Sequence, residues 1–413
     1  MTQRYDTYKD SGVQWLGEIP GHWGCVFINR LFNIKAGGDV KPELYADKKD
    51  ENHPFPVYTN TKSADDVYAY TSLATCPSNS ITVTGRGEVG HAIFRETPYD
   101  AIVRLLSLTP KSNIICKFYA YFIDTVIPFS SDSAAIGQLS AVQIKQKHVT
   151  LPPLSEQRSI VSFLDAKCGK IDEWVTKKQK EVEHLQEMKQ RVIADAVTQG
   201  LNPHVKMKAT NIPWLKEIPE HWENKRLAAM FTDDIETNKD FQYKRAFKFN
   251  YGCLVPKNEI GDPEEYRDVY VKYSIVNTGD ILINGLNLNY DFISQRVACA
   301  PSEGIITSAY VVCHPRPNVN YDYYTYLFKA MDSMKLFHGM GTGIRLTLSF
   351  KELKKQILPV PPIEEQRAIV MFINDKTSKI DKLIANITKE IDCIKEYKQR
   401  LISDVVTGQI KVC

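Results

Sequence analysis

The sequence predicts an α+β protein: two globular mixed α/β domains separated by two long antiparallel coiled-coil helices, with an internal repeat of pseudo-two-fold character. A duplicated pair of motifs is the first observation behind this. Trp15-Leu16-Gly17-Glu18-Ile19-Pro20-Gly21-His22-Trp23 returns as Trp214-Leu215-Lys216-Glu217-Ile218-Pro219-Glu220-His221-Trp222, and Pro152-Pro153-Leu154-Ser155-Glu156-Gln157-Arg158 returns as Pro361-Pro362-Ile363-Glu364-Glu365-Gln366-Arg367. An apolar stripe at heptad spacing after each Pro-Pro pair is the second. Matching β-prone runs in two otherwise dissimilar segments are the third.

The repeat sets the boundaries. Residues 1–150 hold the first domain with its N-terminal motif, 151–201 the first helix, 202–359 the second domain and 360–413 the second helix. Between 151–201 and 360–410, roughly 22 of 51 ungapped positions are identical, as expected of one supersecondary unit used twice. Segments 24–150 and 223–359 share little beyond their strands.

In the second helix Ile380, Ile384, Ile387, Ile391, Ile394, Tyr397, Leu401 and Val405 alternate at four- and three-residue steps, the a/d stripe of a heptad repeat. Ile171, Val175, Lys178, Val182, Leu185, Met188, Val192 and Ala196 repeat it in the first. Lys178 interrupts that seam, with a stem long enough to lie along an apolar groove while the ammonium turns outward. Mixed charges between the stripes suit a solvated face. Each stripe is too narrow to bury itself in a globular core, which favours the two packing on each other; separate packing against each domain is the alternative. About 30 seam residues make a rod of roughly 45 Å, somewhat more than one turn of B-DNA at about 34–36 Å. The Pro-Pro pairs close any preceding strand. Ser155 or Glu156, and Glu364 or Glu365, fall where side chains satisfy free N–H groups at a helix start, and Gly200 and Gly408 fall where a helix stops.

Within the domains, Ser80–Gly85 and Asp280–Gly285 are matching β-prone runs ending in glycine, and Ala101–Leu106 and Ala309–Cys313 are further strand candidates. Phe118–Phe122 and Tyr323–Phe328 read as aromatic helices, whose rings build core; base stacking is the alternative. Gly85-Arg86-Gly87-Glu88-Val89-Gly90 has dinucleotide-fingerprint spacing, but His91–Pro98 is too β-prone and too soon broken by proline to supply the helix N-terminus that a pyrophosphate needs. A tight strand-to-strand turn presenting Arg86 is the expectation.

Length and composition, 413 residues with 43% hydrophobic and 24% charged, fit globular domains. No run approaches the roughly 18 apolar residues that cross a bilayer, and the first residues hold no apolar export segment, which points to the cytoplasm. Nine cysteines without a Cys-x-x-Cys pair read as reduced thiols. With 52 basic against 49 acidic side chains, any basic surface must be local. There is no Walker loop, no His-Glu-x-x-His and no Gly-x-Ser-x-Gly. The Pro-Pro pairs follow Leu151 and Val360 rather than the Asn or Asp of an amino-methyltransferase, and Glu352-Leu353-Lys354 is too short to signal a nuclease.

The two Trp-Leu-x-Glu-Ile-Pro-x-His-Trp motifs, the two Pro-Pro-x-x-Glu-Gln stretches (Pro152 to Ile160, Pro361 to Ile369) and the long helices from Lys170 and Lys379 together resemble the specificity subunit of a type I restriction-modification enzyme. The resemblance covers nearly the whole chain; Lys216 replaces the motif's glycine in the second copy. It implies that the variable segments are target recognition domains, each reading one half of a bipartite, asymmetric site in double-stranded DNA, with the helices as spacer. It also implies a chain without catalysis or cofactor of its own. Two modification subunits that use S-adenosylmethionine, and restriction subunits that use ATP and magnesium, are the implied partners.

Base recognition needs Arg or Lys for guanine, Asn or Gln for adenine, and hydroxyl or basic groups for phosphate. The candidates are Lys62, Thr84, Arg86 and Arg104 in the first domain and Lys244, Arg245, Asn284, Asn287, Arg296 and Arg345 in the second. For each, a solvated surface role is the alternative, and Arg104 in a strand could instead be a buried pair partner. A self-contained methyltransferase or nuclease and a coiled-coil adaptor without DNA contact are the competing functions.

Overall fold

Four helices carry the architecture of the computed structural model, which describes residues 3–129, 138–257, 262–343 and 346–412. They are α1 (Cys116–Thr125), α2 (Leu154–Gln199), α3 (Tyr321–Ser333) and α4 (Ile363–Val406). The chain divides into two compact units, Met1–Gln179 with Lys389–Cys413, and Lys180–Thr388. Both dividing points fall inside the long helices, because each unit packs half of α2 and half of α4 into its own core.

The first unit is built on a four-stranded antiparallel sheet of β1 (Phe32–Ala36), β2 (Ser80–Val83), β3 (Ala92–Arg95) and β4 (Leu106–Pro110) in the order β1-β4-β2-β3. Strands β2 and β3 form a hairpin with Ser80 opposite Arg95 and Val83 opposite Ala92. The predicted strand Ala101–Leu106 does not exist as one piece. Val103 and Arg104 take φ of 53° and 60°, so the chain leaves a separate sheet, where Asp100–Ala101 pairs with Val57–Tyr58, and enters the four-stranded sheet only at Leu106. Helix α1 buries Phe118, Tyr119 and Phe122 against the sheet, which settles the aromatics here as core.

The motif tryptophan Trp23 lies in the same core, fully buried, with Ile160 and Leu164 of α2 and Leu401 and Val405 of α4. Its indole N–H donates to Glu156 at 2.9 Å, and His22 Nε2 and Tyr5 Oη bond the same carboxylate at 2.6 and 2.8 Å. Burial pushes the Glu156 carboxyl up in pKa, but the bonds from His22, Trp23 and Tyr5 together outweigh it and hold the group below its ordinary value. The Glu repeated in both Pro-Pro motifs therefore fastens the Trp motif to the helix start, in addition to lying in the acidic first turn of the helix. Helix α4 ends at Gly408, whose φ of 78° and close approach to Pro20 and Trp23 leave no room for a side chain.

The second unit repeats this plan. Its sheet, β5 (Phe231–Thr232), β6 (Ile281–Ile283), β7 (Val297–Cys299) and β8 (Val311–Pro315), has the order β5-β8-β6-β7. Position for position this is the order of the first sheet. Helix α3 buries Tyr323, Tyr324, Leu327 and Phe328 beside Trp222, Ala196 and Val197 of α2, and Ile369 and Ile373 of α4. Trp222 Nε1 and His221 Nε2 bond Glu365 at 3.0 and 2.7 Å, the same clasp in the second copy.

Within each unit the two long helices run antiparallel. In the first, Lys398 bonds both carboxylate oxygens of Asp172 at 2.7 Å; in the second, Lys189 bonds Asp381 at 2.7 and 2.8 Å. Of the predicted seam, Val175, Ile380, Ile387 and Ile391 are buried outside the two domain cores, whereas Ala196, Leu401 and Val405 are buried inside them, as the alternative of packing against each domain expects; Ile171, Val182, Leu185, Val192, Ile384 and Ile394 are half-buried. Lys178 is half-buried with its ammonium 5.9 Å from the Trp174 ring centre. Met188 and Tyr397 are a correction: they are 46% and 54% exposed. A straight helix drifts relative to a strict seven-residue repeat, and the half-buried stems of the next residues, Lys189 and Lys398, take the inward place.

Candidate nucleic-acid interface

In the first unit the loops after β2 and before β4 are joined by one side chain that the sequence did not single out. Asn60 Nδ2 donates to the Val103 carbonyl at 2.8 Å, and its Oδ1 accepts from the backbone N–H groups of Gly85 and Arg86 at 2.7 and 3.2 Å. This clamp holds the left-handed Val103–Arg104 pair against the Gly85–Gly90 turn. That turn connects two antiparallel strands, so the glycine spacing serves a hairpin and no helix follows it. Arg86 and Arg104 are both exposed there, with no ion pair among the described residues. Arg104 is thus neither in a strand nor buried.

Lys62 lies at the same place, exposed and paired with Glu88. Thr84 requires a correction. It is 2% exposed, its hydroxyl donates to the Glu88 carbonyl at 2.6 Å and accepts from His91 N–H at 2.9 Å, so the group expected to meet a phosphate instead closes the hairpin turn.

In the second unit Lys244 and Arg245 are exposed beside the strand Phe247–Asn250. Lys244 pairs with Glu264 at 2.9 Å, and Arg245 donates to Ser302 Oγ at 3.3 Å with its guanidinium 5.4 Å from the Phe247 ring. Between β6 and β7 runs a loop of residues 284–296. Asn287 is exposed at its left-handed corner, φ 51°, and its carbonyl accepts from the N–H groups of Tyr290 and Asp291. Asn284 is half-buried, its Oδ1 accepting from Leu286 N–H at 3.2 Å.

Arg296 is the second correction. Its side chain is fully buried and its guanidinium donates to the carbonyls of Asn284 and Leu286, each at 2.9 Å, and of Asp291 at 2.6 Å. A buried guanidinium needs acceptors for its fixed fork of donors; the loop carbonyls take those of Nη1 and Nη2, while Nε has no partner among the described residues. Arg296 therefore shapes the loop and cannot reach a base. Asp291 pins the far side: Ser294 and Ile293 N–H groups bond its carboxylate and hold it at a pKa of about 2. Arg345 lies outside the described residues.

The structure thus gathers Lys62, Arg86 and Arg104 around Asn60, and places Asn284 and Asn287 on the Arg296-braced loop. Neither unit holds a cluster of His, Cys, Asp or Glu able to bind a metal ion among the described residues. Glu352, the acid of the Glu-Leu-Lys triplet, accepts from Ser349 instead. Among the described residues no helix is long and apolar enough to cross a membrane.

The family profile described as "Type I restriction modification DNA specificity domain" matches residues 20–199 and 219–392. The MjaVIII type I restriction enzyme specificity subunit of Methanocaldococcus jannaschii is 23% identical over 424 residues, covering 95% of this chain and 94% of that protein. The EcoBI specificity subunit of Escherichia coli is 22% identical, over 69% of this chain and 63% of that one. Matches to two Mycoplasma pneumoniae proteins named as type I specificity subunits, at 29% and 30% identity, each span 39% of those proteins. A solved chain from a study of complex assembly and conformational transition of a type I R-M system shares the fold, with a TM-score of 0.67 at 13% identity over 94% of this chain and 98% of that one. With both repeats matched over most of their length, the chain belongs to the type I restriction-modification DNA specificity family.

Proposed function

We propose that this chain is the non-catalytic sequence-reading subunit of a type I restriction-modification complex, working in the cytoplasm. Segments 1–150 and 202–359 each read one half of a bipartite, asymmetric site in double-stranded DNA. Segments 151–201 and 360–413 set the number of unread base pairs and carry two modification subunits. Methyl transfer with S-adenosylmethionine belongs to those subunits, and ATP- and magnesium-dependent cleavage to restriction subunits.

One observation carries this reading: the two units share a sheet order yet differ in the loops at the β2–β3 and β6–β7 connections. A common frame with unlike loops is what reading two different half-sites requires, since base edges are distinguished by which donors and acceptors meet them. In the first unit Arg86 and Arg104 suit guanine or phosphate, with Lys62 beside them; in the second, Asn284 and Asn287 suit adenine, and Lys244 and Arg245 suit phosphate.

The test exchanges residues 24–150 for the corresponding segment of another member, expresses the chain with its modification subunits and maps methylated adenines across the genome. One half-site changes and the other stays. An unchanged methylated sequence overturns the reading in favour of an adaptor without DNA contact, and methyl transfer by the isolated chain with added S-adenosylmethionine overturns its non-catalytic part.

A further inference from the structure

The loop of residues 284–296 is expensively braced, yet its tip is apolar and turned to solvent. Ile293 is 94% exposed and Tyr290 79%. Phe292 beside them is half turned inward, stacked on His338 at 4.6 Å between ring centres with 17° between planes. His338 Nε2 lies 3.1 Å from the Asp291 carbonyl, and the fully buried Arg296 holds three loop carbonyls. Burying a guanidinium is costly unless its donors are met, so fixing this tip in one shape has been given priority over its solubility.

The neighbouring hairpin shows the same conflict. Strands Phe247–Asn250 and Cys253–Pro256 are joined by Tyr251 and Gly252, with φ of 46° and 73°. A two-residue turn with both φ positive favours Asn-Gly, and a bulky ring at its first position is strained. Tyr251 is 88% exposed, so no packing there repays the strain. Gly252 packs directly on Gln295, leaving no space for a side chain, which sets the hairpin tip beside the loop tip. The hairpin itself carries only basic side chains, Lys244, Arg245, Lys248 and Lys257 over residues 241–257; Lys244 is paired with Glu264, and the Asp291 carboxylate of the loop is held by the Ile293 and Ser294 N–H groups.

We infer that Tyr251, Tyr290 and Ile293 form a preformed apolar wedge that enters duplex DNA at the half-site read by the second domain, stacking on or prying between bases while the adjacent lysines and arginine meet the phosphates. The inference rests on the DNA-reading role proposed above. Rings and branched aliphatics held rigidly beside a basic hairpin match what base steps accept: every base has an apolar face, and the tip is ordered before it binds.

The test uses the chain assembled with its modification subunits and a duplex carrying the site found by methylation mapping, alongside the same duplex with the second half-site scrambled. Y290S/I293S lowers affinity for the intact site about 10- to 100-fold, the range expected for lost base stacking, while the slope of log K against log salt stays unchanged. K248A does the reverse, reducing that slope by about 1. Tyr290→Phe keeps wild-type affinity because its ring face remains. These positions are solvent-exposed, and an unchanged unfolding midpoint confirms that the variants fold. If the wild-type complex fails to distinguish the two duplexes, the DNA-reading role itself is wrong. If it distinguishes them and Y290S/I293S binds as tightly as wild type, the wedge alone is wrong. Loss of assembly with the modification subunits at unchanged DNA affinity overturns it too, making the tip a protein-docking surface.

Discussion

Replacing Arg296 by methionine keeps most of the side-chain volume and deletes the guanidinium donors that hold the carbonyls of Asn284, Leu286 and Asp291. Each such charge-assisted bond contributes about 1.5–3 kcal/mol, and the loop carbonyls regain only part of this from water. R296M is therefore expected to lose about 3 kcal/mol in urea unfolding and to weaken discrimination at the second half-site, although Arg296 touches no DNA. A loss below about 1 kcal/mol would show that the loop is shaped by its own sequence. The same residue marks a limit of sequence reading. An arginine after a turn-rich loop reads as a surface contact, and only the sheet frame, which puts Arg296 immediately before β7 with its N–H on Asp332, turns it inward. Thr84 hides its role from the sequence for the same reason: its hydroxyl answers the Glu88 carbonyl and the His91 N–H, which the chain brings to it only by closing the turn. Asn60 left no local signal at all, since the groups it joins lie 25 to 43 residues away.

At the scale of elements, the seam and the ion pairs of α2 and α4 contribute unequally. Ile387 and Ile391 are 7% and 6% exposed, and truncating either to alanine is expected to cost about 2–4 kcal/mol. The Lys189–Asp381 pair has its side chains 33% and 54% exposed, so removing it with K189M is expected to cost under about 1 kcal/mol. Urea unfolding of the three variants checks the ranking, and an ion-pair loss equal to the isoleucine loss would contradict a hydrophobic seam. The helices were legible because their period is written along one dimension: a stripe at three- and four-residue steps needs no knowledge of the rest of the chain. The aromatic helices were legible as core from the density of their rings, a local property of a different kind. The strand expected at Ala101–Leu106 was not, because β-prone residues there are overruled by the left-handed turn at Val103–Arg104 that Asn60 pins from a distant loop. The exposed tip at Tyr290 and Ile293 also went unread. Apolar residues in a loop ordinarily point to burial, and only the braced backbone shows these pointing out.

For the whole molecule, the duplicated motifs identify two copies of one frame, and the continuous helices α2 and α4 are shared between them by sequence. In the proposed role that sharing converts helix length into the gap between half-sites. Seven residues at 1.5 Å each amount to about 10 Å, or roughly three base pairs. Within the second unit the register of Lys189 with Asp381 places residues 182–188 opposite 382–388, so removing both heptads together keeps the seam in phase. The most direct test of the central claim is to map adenine methylation in cells expressing this doubly shortened chain with its modification subunits. The account predicts the same two half-sites with about three fewer base pairs between them; the same half-sites at the original spacing would contradict it.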